Sequence, residues 1–420
     1  MTQIKISTTS RLPAVKRQLT TQIRHQSTAN MHNLPILYGM PASLYTAKVR
    51  AYLRKQRIAF EERPVGDPRF RSEILPHIGR WIIPVMQLPD GTLLQDGAVI
   101  LDHLEANCMG HGPRALPQDP VLAVLSHVFE LFGGEGLLRS AMHYRWNFDA
   151  DNLDFLRADF GSTLAPGASE AQQNKVFEMA SKRMRGATTA FGVNPHTMAQ
   201  VEASTIEFLQ VFDRHLALTP YLLGGTPTYG DYGLIAPLFA HFGRDPAPSS
   251  LMKKIAPRVW RWVERMNAAD DDGGEYLGKA VDWLHPTTHG ETLETLLQFV
   301  ADDYLPEIIA HVDFANQWLA QRPDLPAGTN GAPKPGERAM GMTSIQWRGH
   351  TTDIVVMPYR LFMLQRVQDA AQRLDSAQSS QLRDLLQRTG LTALIDLRCR
   401  RRVLRQGHLE VWGPDAPAGS

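Results

Sequence analysis

The sequence predicts an α+β domain, then an all-helical domain, then a mostly helical extension. Three observations carry this. Between Leu34 and Cys108, short apolar runs are joined by one helical pattern and closed by a hairpin signal and a second helix. Pro84 stands inside one of the strand-like runs. Beyond the Gly- and Pro-rich stretch 110–120 the pattern turns helical, and Thr228 opens a segment with the chemistry of a capped helix.

Each element follows from local rules. Pro35-Ile36-Leu37-Tyr38-Gly39 is a short apolar run closed by glycine, which reads as a buried strand. Ser43 can cap a helix that runs through Lys48 to Leu53, with Val49 and Leu53 one turn apart on its inner face. Ile58 to Val65 offers a second strand, and 66–80 reads as irregular. Ile82-Ile83-Pro84-Val85-Met86 is strand-like; a proline there removes a ladder donor, so a bend or a cis peptide is expected. Asp90-Gly91 signals a hairpin, Thr92 to Gln95 pairs back, and Gly97 to Cys108 reads as a helix. The domain limits are 33–109, 120–320 and 339–420, with a second linker at 322–338. In the extension, Met357 to Arg373 and Gln381 to Gln387 are helix-like, and the arginine-rich run 398–402 reads as a solvated helix face.

Composition narrows the function. The chain has 420 residues, 44 Lys plus Arg against 43 Asp plus Glu, and a net charge of +1. That balance argues against a dedicated nucleic-acid binder. Two cysteines build neither a disulfide scaffold nor a multi-cysteine zinc site, and there is no Cys-x-x-Cys. The 15 histidines include no His-Glu-x-x-His pair, so no metal is expected. No run of 18 apolar residues appears, so no transmembrane segment is expected. Gly273 to Ala280 mimics a phosphate-binding loop, but no strand precedes it. Residues 1–32 are basic, rich in hydroxyls and free of acid, because the first acidic residue is Glu61. They read as a disordered leader or a mitochondrial presequence, which leaves a mitochondrial or a cytoplasmic location open.

Three segments of the first domain, in order, resemble the glutathione S-transferases. Pro41 to Arg50 is similar to the family's first strand-to-helix segment, Ile83-Pro84-Val85 to its Val-Pro segment, and Gln95 to Glu105 to its Glu-Ser-x-x-Ile helix start. Thr228-Tyr229-Gly230-Asp231 resembles the capping box of the family's helical domain, and Arg258 to Val263 continues the likeness. The resemblance covers residues 34–270 and implies a thioredoxin-like first domain. Asp96 stands for Glu, Gly97 replaces a hydroxyl residue, and two extra residues lie between Gly79 and Pro84.

The resemblance implies glutathione as co-substrate, an electrophilic small molecule as its partner and a homodimer. Ser43 falls on the family's catalytic Ser/Cys position, where it would donate a hydrogen bond to the sulfur; a plain helix cap is its other role. A free thiol has a pKa of about 8.5. Lowering it by about two units takes about 2.7 kcal/mol, and a hydrogen bond to a charged acceptor contributes about 1.5–3 kcal/mol. Tyr38 and Tyr45 are rival donors. Ile83 would present its backbone to the cysteinyl part, with Pro84 cis. Asp96 and Gly97 would meet the γ-glutamyl end, and Arg80 or Trp81 the glycyl carboxylate. His143, Tyr144 and Trp146 are candidates for the electrophile's side. The alternative is a non-catalytic protein of the same fold, a binding or interaction module.

Overall fold

The computed structural model describes residues 34–277, 282–284, 290–334 and 336–415. The leader, and residues 278–280 of the loop that mimics a phosphate cradle, lie outside the described residues.

The first domain is a four-stranded sheet with strands β1 (Ile36–Gly39), β2 (Glu61–Pro64), β3 (Val85–Gln87) and β4 (Leu93–Gln95). Their spatial order is β2-β1-β3-β4, with β1 parallel to β2 and the rest antiparallel. Helix α1 (Leu44–Lys55) joins β1 to β2, and α2 (Gly97–Ala106) follows β4. The period-two alternation of strands sorts the side chains onto two faces. Leu37 and Met86 face one core with Val49, Leu53, Leu101 and Leu104. Tyr38 and Val85 face another with Phe70 and Ile74. Residues 66–80 are more ordered than predicted, because a π-turn at Phe70–Ile74 and a short helix at Leu75–Ile78 bury Phe70, Ile74 and Ile78 there.

The helical domain begins with α3 (Pro120–Leu131), which continues through a π-turn into α4 (Leu138–Trp146). That stretch is long and apolar enough to cross a membrane, but it lies almost wholly inside the protein and carries the buried charges Glu130, Glu135, Arg139 and Arg145. Then come α5 (Asp149–Leu164), α6 (Glu170–Ala187), α7 (Met198–His215), α8 (Tyr229–Ala240), α9 (Pro246–Ile255), α10 (Pro257–Asn267), α11 (Glu291–Asp303) and α12 (Leu305–Ala320). The expected capping box is present. Asp231 is fully buried and accepts from Thr228 N at 2.8 Å, Leu222 N at 2.9 Å and Trp262 Nε1 at 3.1 Å. It is a folding residue, tying the entry loop to α8 and α10.

The extension departs from the mostly helical expectation. Helices α13 (Pro358–Ala371) and α14 (Ser376–Arg388) are there, but so are two hairpins: β5 (Gly341–Trp347) with β6 (His350–Val356), and β7 (Arg401–Gln406) with β8 (Leu409–Asp415). Alternating burial along β5 and β6 is the signal that a helical reading missed. The arginine run leads into a strand, where Arg401 pairs with Asp415 and Arg402 with Asp369.

The extension is part of the core. Tyr359, Leu361, Leu364 and Val367 of α13 share one hydrophobic cluster with α3. Arg360 is fully buried; its guanidinium reaches Glu135 Oε2 at 3.3 Å, Glu307, and His311 Nε2 at 3.2 Å. Removing the guanidinium would take a cation from two buried carboxylates, leaving Glu307 with Arg139 and Glu135 with the Tyr45 hydroxyl. Arg360→Met is therefore expected to cost about 3–5 kcal/mol, read as a lower urea midpoint. An unchanged midpoint would show that α13 is peripheral.

Two histidines set an acid limit. Burial lowers both His215 and His311 to about 4. The unfolded chain takes up protons below about pH 6.5, whereas the folded chain resists until about pH 4. Stability is therefore expected to fall as pH drops through that window, by up to about 3 kcal/mol per histidine. Urea midpoints at pH 7.5, 6 and 5 measure this, and a flat series would contradict it.

Candidate active site

Register brings three strand ends to one edge of the sheet. Tyr38 of β1 faces Val85 at the start of β3, and Val85 faces Gln95 at the end of β4. The chain leaving β1 reaches Ser43, the chain entering β3 passes Ile83 and Pro84, and the chain leaving β4 turns at Asp96. Three segments far apart in sequence thus converge.

Ser43 is half-buried and caps α1 in extended backbone. Its Oγ accepts from Thr46 N at 3.2 Å. That bond uses a lone pair, which leaves the hydroxyl hydrogen free to donate. The first turn of α1 holds no acidic side chain, so the helix dipole favours negative charge there.

The Ile83–Pro84 peptide is cis, and β3 begins only after the proline. Asp96 has φ of 93°, a region that few residues other than glycine occupy. Its Oδ1 compensates by capping α2, accepting from Ala98 N at 2.9 Å and Val99 N at 3.3 Å. Gly97 stands where the family has a hydroxyl, and the packing explains it. A Cβ at Gly97 would lie 3.3 Å from Lys48 Cδ. Lys48 is restrained from moving aside, because its Nζ is held 2.5 Å from the buried Glu130.

The extension reaches this edge. Tyr359 lies near the Asp96 carboxylate; burial, reinforced by Asp96 and Glu135, holds the phenol well above its usual range. Its ring lies edge-on to Tyr45 at 6.5 Å and under the Arg338 guanidinium at 5.7 Å. Arg405 of β7 donates to Gln95 Oε1 at 2.7 Å and to Gln95 O at 3.3 Å. Arg80 donates to His408 O at 2.5 Å and lies 3.4 Å from Glu410 of β8. The β4 end, the Asp96 turn and Arg80 each have a partner from beyond residue 358. Sequence reasoning missed Tyr359, Arg405 and Glu410, because no local motif marks them.

Of the rival donors, Tyr45 is engaged elsewhere, and the Tyr38 hydroxyl is buried without a hydrogen-bond partner. Tyr38 is buried against Phe70, and burial pushes its hydroxyl up. Tyr45 donates to Glu135 Oε1 at 3.0 Å. Trp81 is exposed and packs on Phe70, while Arg80 is committed to β8. His143, Tyr144 and Trp146 are core residues. His143 is buried with Nε2 at 3.0 Å from Glu202, burial lowers its pKa, Tyr144 stacks on Phe148, and Trp146 meets Phe160. Among the described residues, no group of three or more His, Cys, Asp or Glu is placed to hold a metal ion.

Comparisons agree with this architecture. Residues 37–111 match the glutathione S-transferase N-terminal domain, and residues 195–265 match the C-terminal domain. Among solved structures, a glutathione transferase of Phanerochaete chrysosporium is 15% identical over 57% of this chain and 98% of its own, with a TM-score of 0.41. The beta-etherase LigF of Sphingobium sp. strain SYK-6 is 19% identical over 59% and 99%, with a TM-score of 0.39. A glutathione S-transferase of Methylobacterium radiotolerans, in complex with glutathione sulfonate, is 19% identical over 58% and 94%, with a TM-score of 0.34. No curated protein matches the chain. The thioredoxin-like domain and part of the helical domain behind it thus carry the N- and C-terminal domain models of the glutathione S-transferases, and residues beyond about 320 extend the chain past them.

Proposed function

We propose that this chain is a glutathione S-transferase-like enzyme that activates the glutathione thiol for attack on an electrophilic small molecule. The observation that carries the reading is the convergence of Ser43, cis Ile83–Pro84 and Asp96 at one sheet edge. The Ile83 backbone would pair with the cysteinyl residue, and Asp96 and the Gly97 N–H would meet the γ-glutamyl group. The thiol proton leaves to solvent. The Ser43 O–H keeps its own proton and donates to the sulfur, helped by the amino end of α1. The thiolate then attacks carbon, and the leaving group departs with the bonding electrons in conjugation, lyase or dehalogenation chemistry.

Tyr359 bears on affinity. Its hydroxyl lies near the Asp96 carboxylate that the γ-glutamyl ammonium would seek. The same contact favours a second reading, a non-catalytic binding protein of this fold. Titration calorimetry with glutathione and turnover of an aryl halide separate the two. Ser43→Ala is expected to stay folded at a cost of about 1 kcal/mol and to lose about 100-fold in kcat/KM, the equivalent of about 2.7 kcal/mol. Equal turnover in both proteins would remove Ser43 from the mechanism. Tyr359→Phe keeps the ring and removes the phenol beside Asp96, so glutathione is expected to bind more tightly, by up to about tenfold. No binding in either wild type or Tyr359→Phe would end the glutathione reading.

A further inference from the structure

A second cavity lies away from Asp96 and the extension. It has a volume of 380 Å³ and opens between α1, β2 and the ends of α5 and α8. That is within the range of small-molecule sites. Three arginines line it: Arg50, Arg54 and Arg244. Its apolar wall is Phe239, with the Arg50 and Arg244 guanidinium groups each 6.0 Å from the ring centroid.

The charges do not cancel. Arg50 is 3% exposed and spends Nε and Nη2 on Glu62, at 2.7 Å and 2.5 Å. Its Nη1 is buried without a hydrogen-bond partner. Arg244 is paired with Asp159, and its Nε is likewise buried and unpartnered. Two carboxylates thus serve two of the arginines. Arg54 is the third; its side-chain bond goes to Asn267 Oδ1 at 3.2 Å, and among the described residues no carboxylate lies within ion-pair distance of it. Arg50 and Arg54 stand one turn apart on α1, where like charges repel. Burial and Arg50 both lower the pKa of Arg54. Arg54, only partly buried at the cavity, keeps N–H donors beyond its bond to Asn267 for an acceptor there.

We propose that this cavity binds a small organic oxyanion, a phosphate or a carboxylate carried on an apolar body. The planar guanidinium forks suit either oxyanion, and Phe239 suits the body. This reading stands independently of glutathione, since it uses none of Ser43, Ile83, Asp96 or Gly97.

Calorimetry on the full chain tests it, with inorganic pyrophosphate and citrate as probes at 50 and 300 mM salt. At least one probe is expected to bind saturably, one to one, more tightly than 1 mM at low salt and at least threefold more weakly at high salt. Tighter pyrophosphate identifies the phosphate source, and tighter citrate the carboxylate source. Arg54→Gln is expected to weaken binding at least tenfold, and Arg54→Lys to recover part of the loss. Should Arg54→Gln fail to fold, Ser162→Asp adds a negative charge at the exposed rim and is expected to weaken binding equally. Absence of saturable binding by both probes overturns the proposal. So does an affinity unchanged by these substitutions.

Discussion

Glu130 is the constraint on which much of this arrangement depends. It is fully buried on α3, where an unpaired carboxylate would be prohibitively costly. Burial pushes its pKa up, but Arg366 and Lys48 outweigh that and hold it well below the carboxylate range. His127 completes the set at 2.9 Å. Each partner has a structural consequence. Lys48 stretches along α1 past residue 97, where a Cβ would press on its Cδ at 3.3 Å. Arg366 binds α13 to Glu130 at 3.1 Å and to Asp102 of α2 at 2.5 Å. Tyr359 lies seven residues before Arg366 on the same helix, near Asp96.

The departure at Gly97 and the presence of the extension are therefore connected. The chain lacks a hydroxyl at the turn after β4, and the cation that fills the space belongs to the network that seats the extension. What is a ligand-facing edge in the resemblance is here an edge shared with α13, β7 and β8. Arg405 at Gln95 and Glu410 at Arg80 make the same connection from the second hairpin. The extension is welded on by Arg360, and its influence on the groove comes through individual side chains such as Tyr359.

Legibility in the sequence tracked contact distance. The strand and helix order of the first domain could be read because Ser43, Pro84, Asp90-Gly91 and Asp96 act on neighbours within a few residues. The Thr228–Asp231 box could be read for the same reason, although the reach of Asp231 to Trp262 could not. The second hairpin of the extension escaped notice because its arginines pointed to a polar helix face, whereas cross-strand pairing and Asp415 hold it as strands. Three aromatic candidates on α4 were drawn to a substrate site by residue type, and burial places them in the core.

By itself, then, the sequence determined the thioredoxin-like order, the helical domain behind it and the candidate hydroxyl at residue 43. Caps, turns and alternating apolar runs are local, and local chemistry survives whatever the rest of the chain does. Only the tertiary structure decided what stands opposite that hydroxyl. Asp96 and Tyr359 are separated by more than half the chain, and no propensity or motif, which act over a few residues, encodes their approach.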